Sequence, residues 1–156
     1  MGSEYQGDVL AVETHSGRAW SLVILPAVIG PVVATVLNPS APARMAVVVV
    51  SVIAVVTIAM TWGGFEYRFL VHGVEVRMLG LRLRSIPRST ILGYAVEPWS
   101  LLRGYGIRAA GGMRAYVWCN KVVHIRTSNG EVYLGHSDPE RILRDLDMVT
   151  GFVTRG

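Results

Sequence analysis

Residues 19–37, AWSLVILPAVIGPVVATVL, and residues 44–62, RMAVVVVSVIAVVTIAMTW, flank a short polar turn centred on Asn38-Pro39-Ser40. Neither apolar run carries an ionisable residue between Ala19 and Leu37 or between Met45 and Trp62. At roughly 1.5 Å per residue, helices of this length rise about 28 Å, close to a bilayer core of roughly 30 Å. The pattern predicts a transmembrane helical hairpin over 19–62, with spans at about 19–37 and 45–62. Trp20 and Trp62 would mark one interface, where an indole can bury its ring and hydrate its N–H. Pro26, Gly30 and Pro31 interrupt the first helix, whereas the Val-rich second one should run straighter.

Working outward, residues 1–18 read as a short polar tail with Glu4, Asp8 and Glu13 against Arg18. A rival reading makes residues 1–43 a signal peptide ending at Ala41-Pro42-Ala43, but the region before the apolar run is acidic where a signal would be basic. The chain has 156 residues, 51% of them apolar, and a net charge of +4. Of its fifteen Lys and Arg residues, thirteen follow Trp62. Cationic flanks stay cytoplasmic, so the expectation is a multi-pass protein of the cell membrane with both termini cytoplasmic; Arg44, in the outer loop, speaks against it. Cys119 is the single cysteine, so no internal disulfide can form.

After Gly63-Gly64 the period changes to two, and residues 63–156 read as one small β domain. Phe65, Tyr67 and Phe69 alternate with Glu66 and Arg68; Val74, Val76 and Met78 alternate with Glu75 and Arg77; Leu81 and Leu83 alternate with Arg82 and Arg84. These runs read as meandering antiparallel strands, and further strands are expected over 91–96, 104–110, 114–119, 122–127 and 131–135. Ser128-Asn129-Gly130 signals a hairpin with a type I′ turn. A C-terminal helix over 138–153 starts at Asp138-Pro139 or at a Ser137/Glu140 capping box, and lays Ile142, Leu143, Leu146, Val149 and Val153 on one face. The fold class is α+β.

His72-Gly73-Val74-Glu75-Val76-Arg77-Met78-Leu79-Gly80, followed by Arg84-Ser85-Ile86-Pro87-Arg88-Ser89-Thr90-Ile91, resembles the opening of bacterial pleckstrin-homology-like (PH-like) domains. The likeness extends through the Ser-Asn-Gly hairpin to the Asp138-Pro139-Glu140 helix start, over roughly residues 64–150. The resemblance implies a seven-stranded, partly open β-barrel closed by a C-terminal helix, often behind paired transmembrane helices and used for binding or assembly. This chain lacks the lysine-rich first hairpin of phosphoinositide-binding members, having Val71-His72-Gly73-Val74 instead, so phosphoinositide binding is not implied.

Residues suited to chemistry are sparse. His72, His124 and His136 are scattered and Cys119 stands alone, whereas a zinc site needs three or four converging ligands. Asp138 and Glu140 are explained by a helix start. Neither a P-loop nor a nucleophile elbow occurs. The expectation is a non-enzymatic chain without metal, cofactor or nucleic acid. Arg77, Arg82, Arg84 and Arg88 would form a cationic stripe on one sheet edge, either as solvated surface charge or as a contact for anionic lipid headgroups. Trp99 and Tyr105, in a glycine-bearing loop, are the next candidate contacts for a protein partner.

Two functions are compatible with this pattern. One is a membrane-anchored PH-like interaction module that scaffolds a protein partner or touches anionic lipid. The other is an accessory subunit of a transport or other membrane complex, associating through small residues of the first span such as Ala27, Gly30 and Ala34.

Overall fold

The computed structural model describes residues 8–18, 21–37 and 41–151, and divides into a β unit and a helical unit. Trp20, the Asn38-Pro39-Ser40 turn and Val153, for which the sequence sets expectations, lie outside the described residues.

The helical unit, residues 16–64, holds α1 (Ser21–Leu37) and α2 (Ala41–Gly63), which pack on each other. Among the described residues one helix is long and apolar enough to cross a membrane, over Arg44–Gly63 in α2. The expected pair of transmembrane helices is corrected on this point, and multi-pass insertion goes with it. α1 has 17 residues, with Pro26 and Pro31 inside it, and at ~1.5 Å per residue it rises only about 25 Å. Only 11% of the apolar stretch of α2 is buried, and Val48, Val52, Ile53, Val55 and Val56 are exposed. Thr57 and Thr61 return their hydroxyls to Ile53 O and Ile58 O, so these side chains leave no unmatched donor in the apolar helix.

The β unit joins residues up to His15 with those from Phe65 onward. Its first sheet has the order β1-β2-β3-β4, from Val9–His15, Phe65–Leu70, Gly73–Met78 and Leu81–Pro87. The second has the order β5-β8-β9-β7-β6, from Ile91–Pro98 (β5), Gly106–Ala110 (β6), Met113–Val117 (β7), Lys121–Thr127 (β8) and Gly130–Gly135 (β9). Among the described residues nine strands therefore replace the expected seven, in two sheets. Part of the expected polar tail is strand β1, antiparallel to β2 with His15 opposite Phe65. Its alternation places Glu13 and His15 on a half-buried face, a pattern that polarity alone disguises.

The first sheet keeps the meander through β2, β3 and β4, but the second does not pair in sequence order: β5 lies beside β8, and β9 inserts between β8 and β7 and runs parallel to β7. The hairpin at Ser128-Asn129 forms, yet not as type I′. Asn129 does not take a positive φ; Gly130 does, at 122°, and Thr127 Oγ1 donates to the Gly130 carbonyl. A Cβ at Gly130 would lie 2.2 Å from Gly112 O, so a close approach of chains, as well as the turn, requires this glycine.

The core lies between the two sheets and α3 (Pro139–Thr150). Phe65, Tyr67, Phe69, Val74 and Val76 from the first sheet, Val123, Ile125, Val132 and Leu134 from the second, and Ile142, Leu146 and Val149 from α3 are all buried. Tyr67 spans this core: its phenol, wholly buried, bonds to Tyr116 O and Gly135 O at 3.0 and 2.9 Å. Asp138 occupies the N-cap position of α3 without a side-chain capping bond, Pro139 begins the helix, and Gly151 ends it at φ 70°.

Candidate functional site

The four arginines expected as a stripe are not one group. Arg77 and Arg82 oppose each other on β3 and β4, and both pair with Glu75, at 3.4 and 3.2 Å. Across β2 and β3, Glu66 opposes Arg77 and Arg68 opposes Glu75, and Arg68 also bonds Glu66. This sheet face is a checkerboard of charge in which each cation has an acidic neighbour. Arg84 opposes buried Val76, because the register shifts between Val76 and Arg77 and turns the strand. It lies near enough to Tyr116 that its charge pulls against the burial that pushes that phenol up. Arg88 closes the far end of α3, with Nη2 donating to Thr150 O at 3.0 Å, where a cation suits the helix C-terminus.

Trp99 is not an exposed docking aromatic. It is 3% exposed and sits in a satellite cluster with Ala115, Val117, Val122 and Tyr133, against which Tyr105 and Met113 pack. Its indole N–H donates to Gly104 O at 2.9 Å, and the Arg103 guanidinium lies 5.4 Å from its ring centre. The sequence signal that could have revealed this is the pairing of Trp99 with glycines at 104 and 106, which let a short loop fold back over its own tryptophan. Leu102 is the residue this loop displays, at 97% exposure.

Beside that cluster the second sheet carries a polar ladder. His124 Nδ1 bonds Glu97 at 2.8 Å, the His124 ring stacks on Tyr133 at 4.4 Å, and Tyr133 OH donates to Glu131 at 2.9 Å. Burial, then the Glu131 carboxylate, pushes the Tyr133 phenol up to about 12, so it remains a neutral donor. Glu97 also lines an open cleft of about 370 Å³ with Val96, Pro98, Lys121, Ser137, Asp138, Pro139 and Glu140. Three carboxylates and one ammonium on an apolar floor suit an extended, cationic segment of a partner.

A second cluster joins β1 to α3. Glu13 takes a bond from Arg141 at 2.8 Å and lies 3.7 Å from His136, whose ring centre is 5.5 Å from that of His15. Burial, then the charge of His136, lowers His15 to about 4. Burial, then Glu13, raises the Asp145 carboxyl. Burial likewise raises the Cys119 thiol, which donates to Lys121 O at 3.0 Å. Among the described residues no group of three or more His, Cys, Asp and Glu is placed to hold a metal ion.

No protein-family model, no curated protein and no solved structure matches the chain.

Proposed function

We propose that the chain is a membrane-attached, non-catalytic interaction module that holds a protein partner at the cytoplasmic face of the cell membrane. The observation that carries this reading is the apolar stretch Arg44–Gly63, which stays largely unburied. An exposed apolar surface of that extent in water would drive association. In lipid it is matched to its surroundings.

The insertion point adds to this. His15 and Phe65 are register partners, so the helical segment leaves and rejoins the sheet at one place. The cation excess after Trp62 supports a cytoplasmic β unit. The resemblance to PH-like domains, which serve as binding modules, agrees with this role. The polar groups that could do chemistry are engaged structurally: His124 with Glu97, Tyr94 with Asp147 and Thr150, and Arg88 with α3. The partner surface we assign is the acidic cleft beside Glu97, Lys121 and Glu140.

The test is photocrosslinking in native membranes, with a photoreactive residue replacing Lys121 in one variant and Val52 in another. Protein adducts from position 121, lost on adding the Glu97→Gln and Glu140→Gln changes, support the module. Protein adducts from position 52 alone would instead make the chain an accessory subunit that associates through its helices.

A further inference from the structure

The β3–β4 hairpin turns through Leu79 and Gly80 with φ of 51° and 78°. Two successive positive φ values are what a two-residue hairpin needs, and the first is ordinarily supplied by Asn, Asp or Gly. Leu79 is the sole non-glycine residue with positive φ among the described residues. A β-turn tip that keeps leucine in a left-handed conformation, with the residue 59% exposed, gains little packing inside the domain to offset the strain. Leu81, next to it, is 70% exposed.

Register places this tip. Arg77 opposes Glu66, and Met78 opposes Leu81, so the turn lies at the end of the sheet where Phe65 begins β2. That is also the end at which the chain arrives from α2, one residue after Gly63 and Gly64. A second apolar tip belongs to the same end. Phe65 stacks on Trp118 with ring centres 6.1 Å apart, Trp118 lies against Gly106, and the loop just before Gly106 displays Leu102.

We infer that the Leu79 and Leu81 hairpin tip inserts into the headgroup–acyl boundary of the bilayer entered by the helical unit, and so fixes how the β unit stands on the membrane. This rests on the membrane reading above. The contact is apolar insertion and not headgroup charge recognition, because Arg77 and Arg82, the nearest cations on these strands, are both engaged by Glu75. Burial of the leucines in lipid supplies the compensation that the domain itself does not give to the turn.

The test uses full-length protein, one copy per nanodisc, in phosphatidylcholine alone and with phosphatidylglycerol added. With Cys119→Ser as background, a nitroxide is placed at Leu79→Cys, Val52→Cys or Ser128→Cys, and its depth is read from collision with oxygen against a water-soluble nickel chelate. Ser128 belongs to the turn at the opposite end of the second sheet from Trp118. The expected result is Val52 deep, Leu79 at the boundary in both lipids and Ser128 in water. Leu79 as accessible to nickel as Ser128, with Val52 deep, overturns the inference and leaves the helical anchor standing. Val52 in water with Leu79 in lipid overturns the anchor and keeps the tip. In the unsubstituted protein, amide exchange at Leu79, Gly80 and Leu81 should slow several-fold in nanodiscs relative to detergent, and unchanged exchange counts against insertion.

Discussion

Leu79 and His15 each hold a conformation or a charge state that the folded chain imposes against intrinsic preference. A left-handed leucine costs on the order of 1 kcal/mol relative to a residue that tolerates the region. Leu79→Asn should therefore stabilise the β unit by about that amount in thermal or denaturant melts while weakening its lipid contact; a destabilised variant would show that the side chain packs on protein. For His15, the unfolded chain takes up a proton near 6.5 that the folded chain resists until about 4. Proton uptake by the unfolded state means that stability is lost as pH falls through that window. Asp145 acts in the opposite sense toward the lower end, because its raised carboxyl binds a proton more readily when folded. Unfolding midpoints measured from pH 7 to 5 should fall for the unmodified protein and flatten for His15→Asn. Neither residue was legible in the sequence: Leu79 stands where alternation alone would extend the strands, and His15 sits in a stretch whose polarity resembles a tail.

Elements were legible in proportion to how local their cause is. The strands from Phe65 to Pro87 and the final helix follow from alternation, Gly and Pro positions and a 3.6-residue stripe, and all of them are present. Strand β1 was missed because its partner is 50 residues away, beyond the helices, and no local signal reports such pairing. The parallel pairing of β9 with β7 escaped for the same reason. Hydropathy likewise overstated α1, since it counts apolar residues and gives no weight to Pro26 and Pro31 within the helix. Among the candidate contacts, the arginines were visible as outward charges but their cross-strand acids were not read against them, and Trp99 turned out to be a core residue. A chain beginning at Gly64 lacks β1 and the Glu13–Arg141 bond and leaves the edge of β2 open. It should unfold at lower denaturant than a chain that retains residues 8–15, by an amount on the order of several kcal/mol given the ladder and packing removed. Equal midpoints would make β1 an accessory strand.

At the scale of the whole molecule, a β unit with its own core is interrupted between two paired strands by a helical segment whose apolar stretch stays largely unburied. The two halves of that statement make opposite demands on solvent, and they separate cleanly in one measurement. The full chain and a shortened chain, in which Asn-Gly joins His15 directly to Phe65 in place of residues 16–64, are expressed side by side and fractionated after an alkaline carbonate wash. The full chain should remain in the membrane pellet and require detergent, while the shortened chain should be soluble, β-rich and cooperatively folded. A full chain that is released as a soluble monomer, with α2 still exposed, would contradict the account.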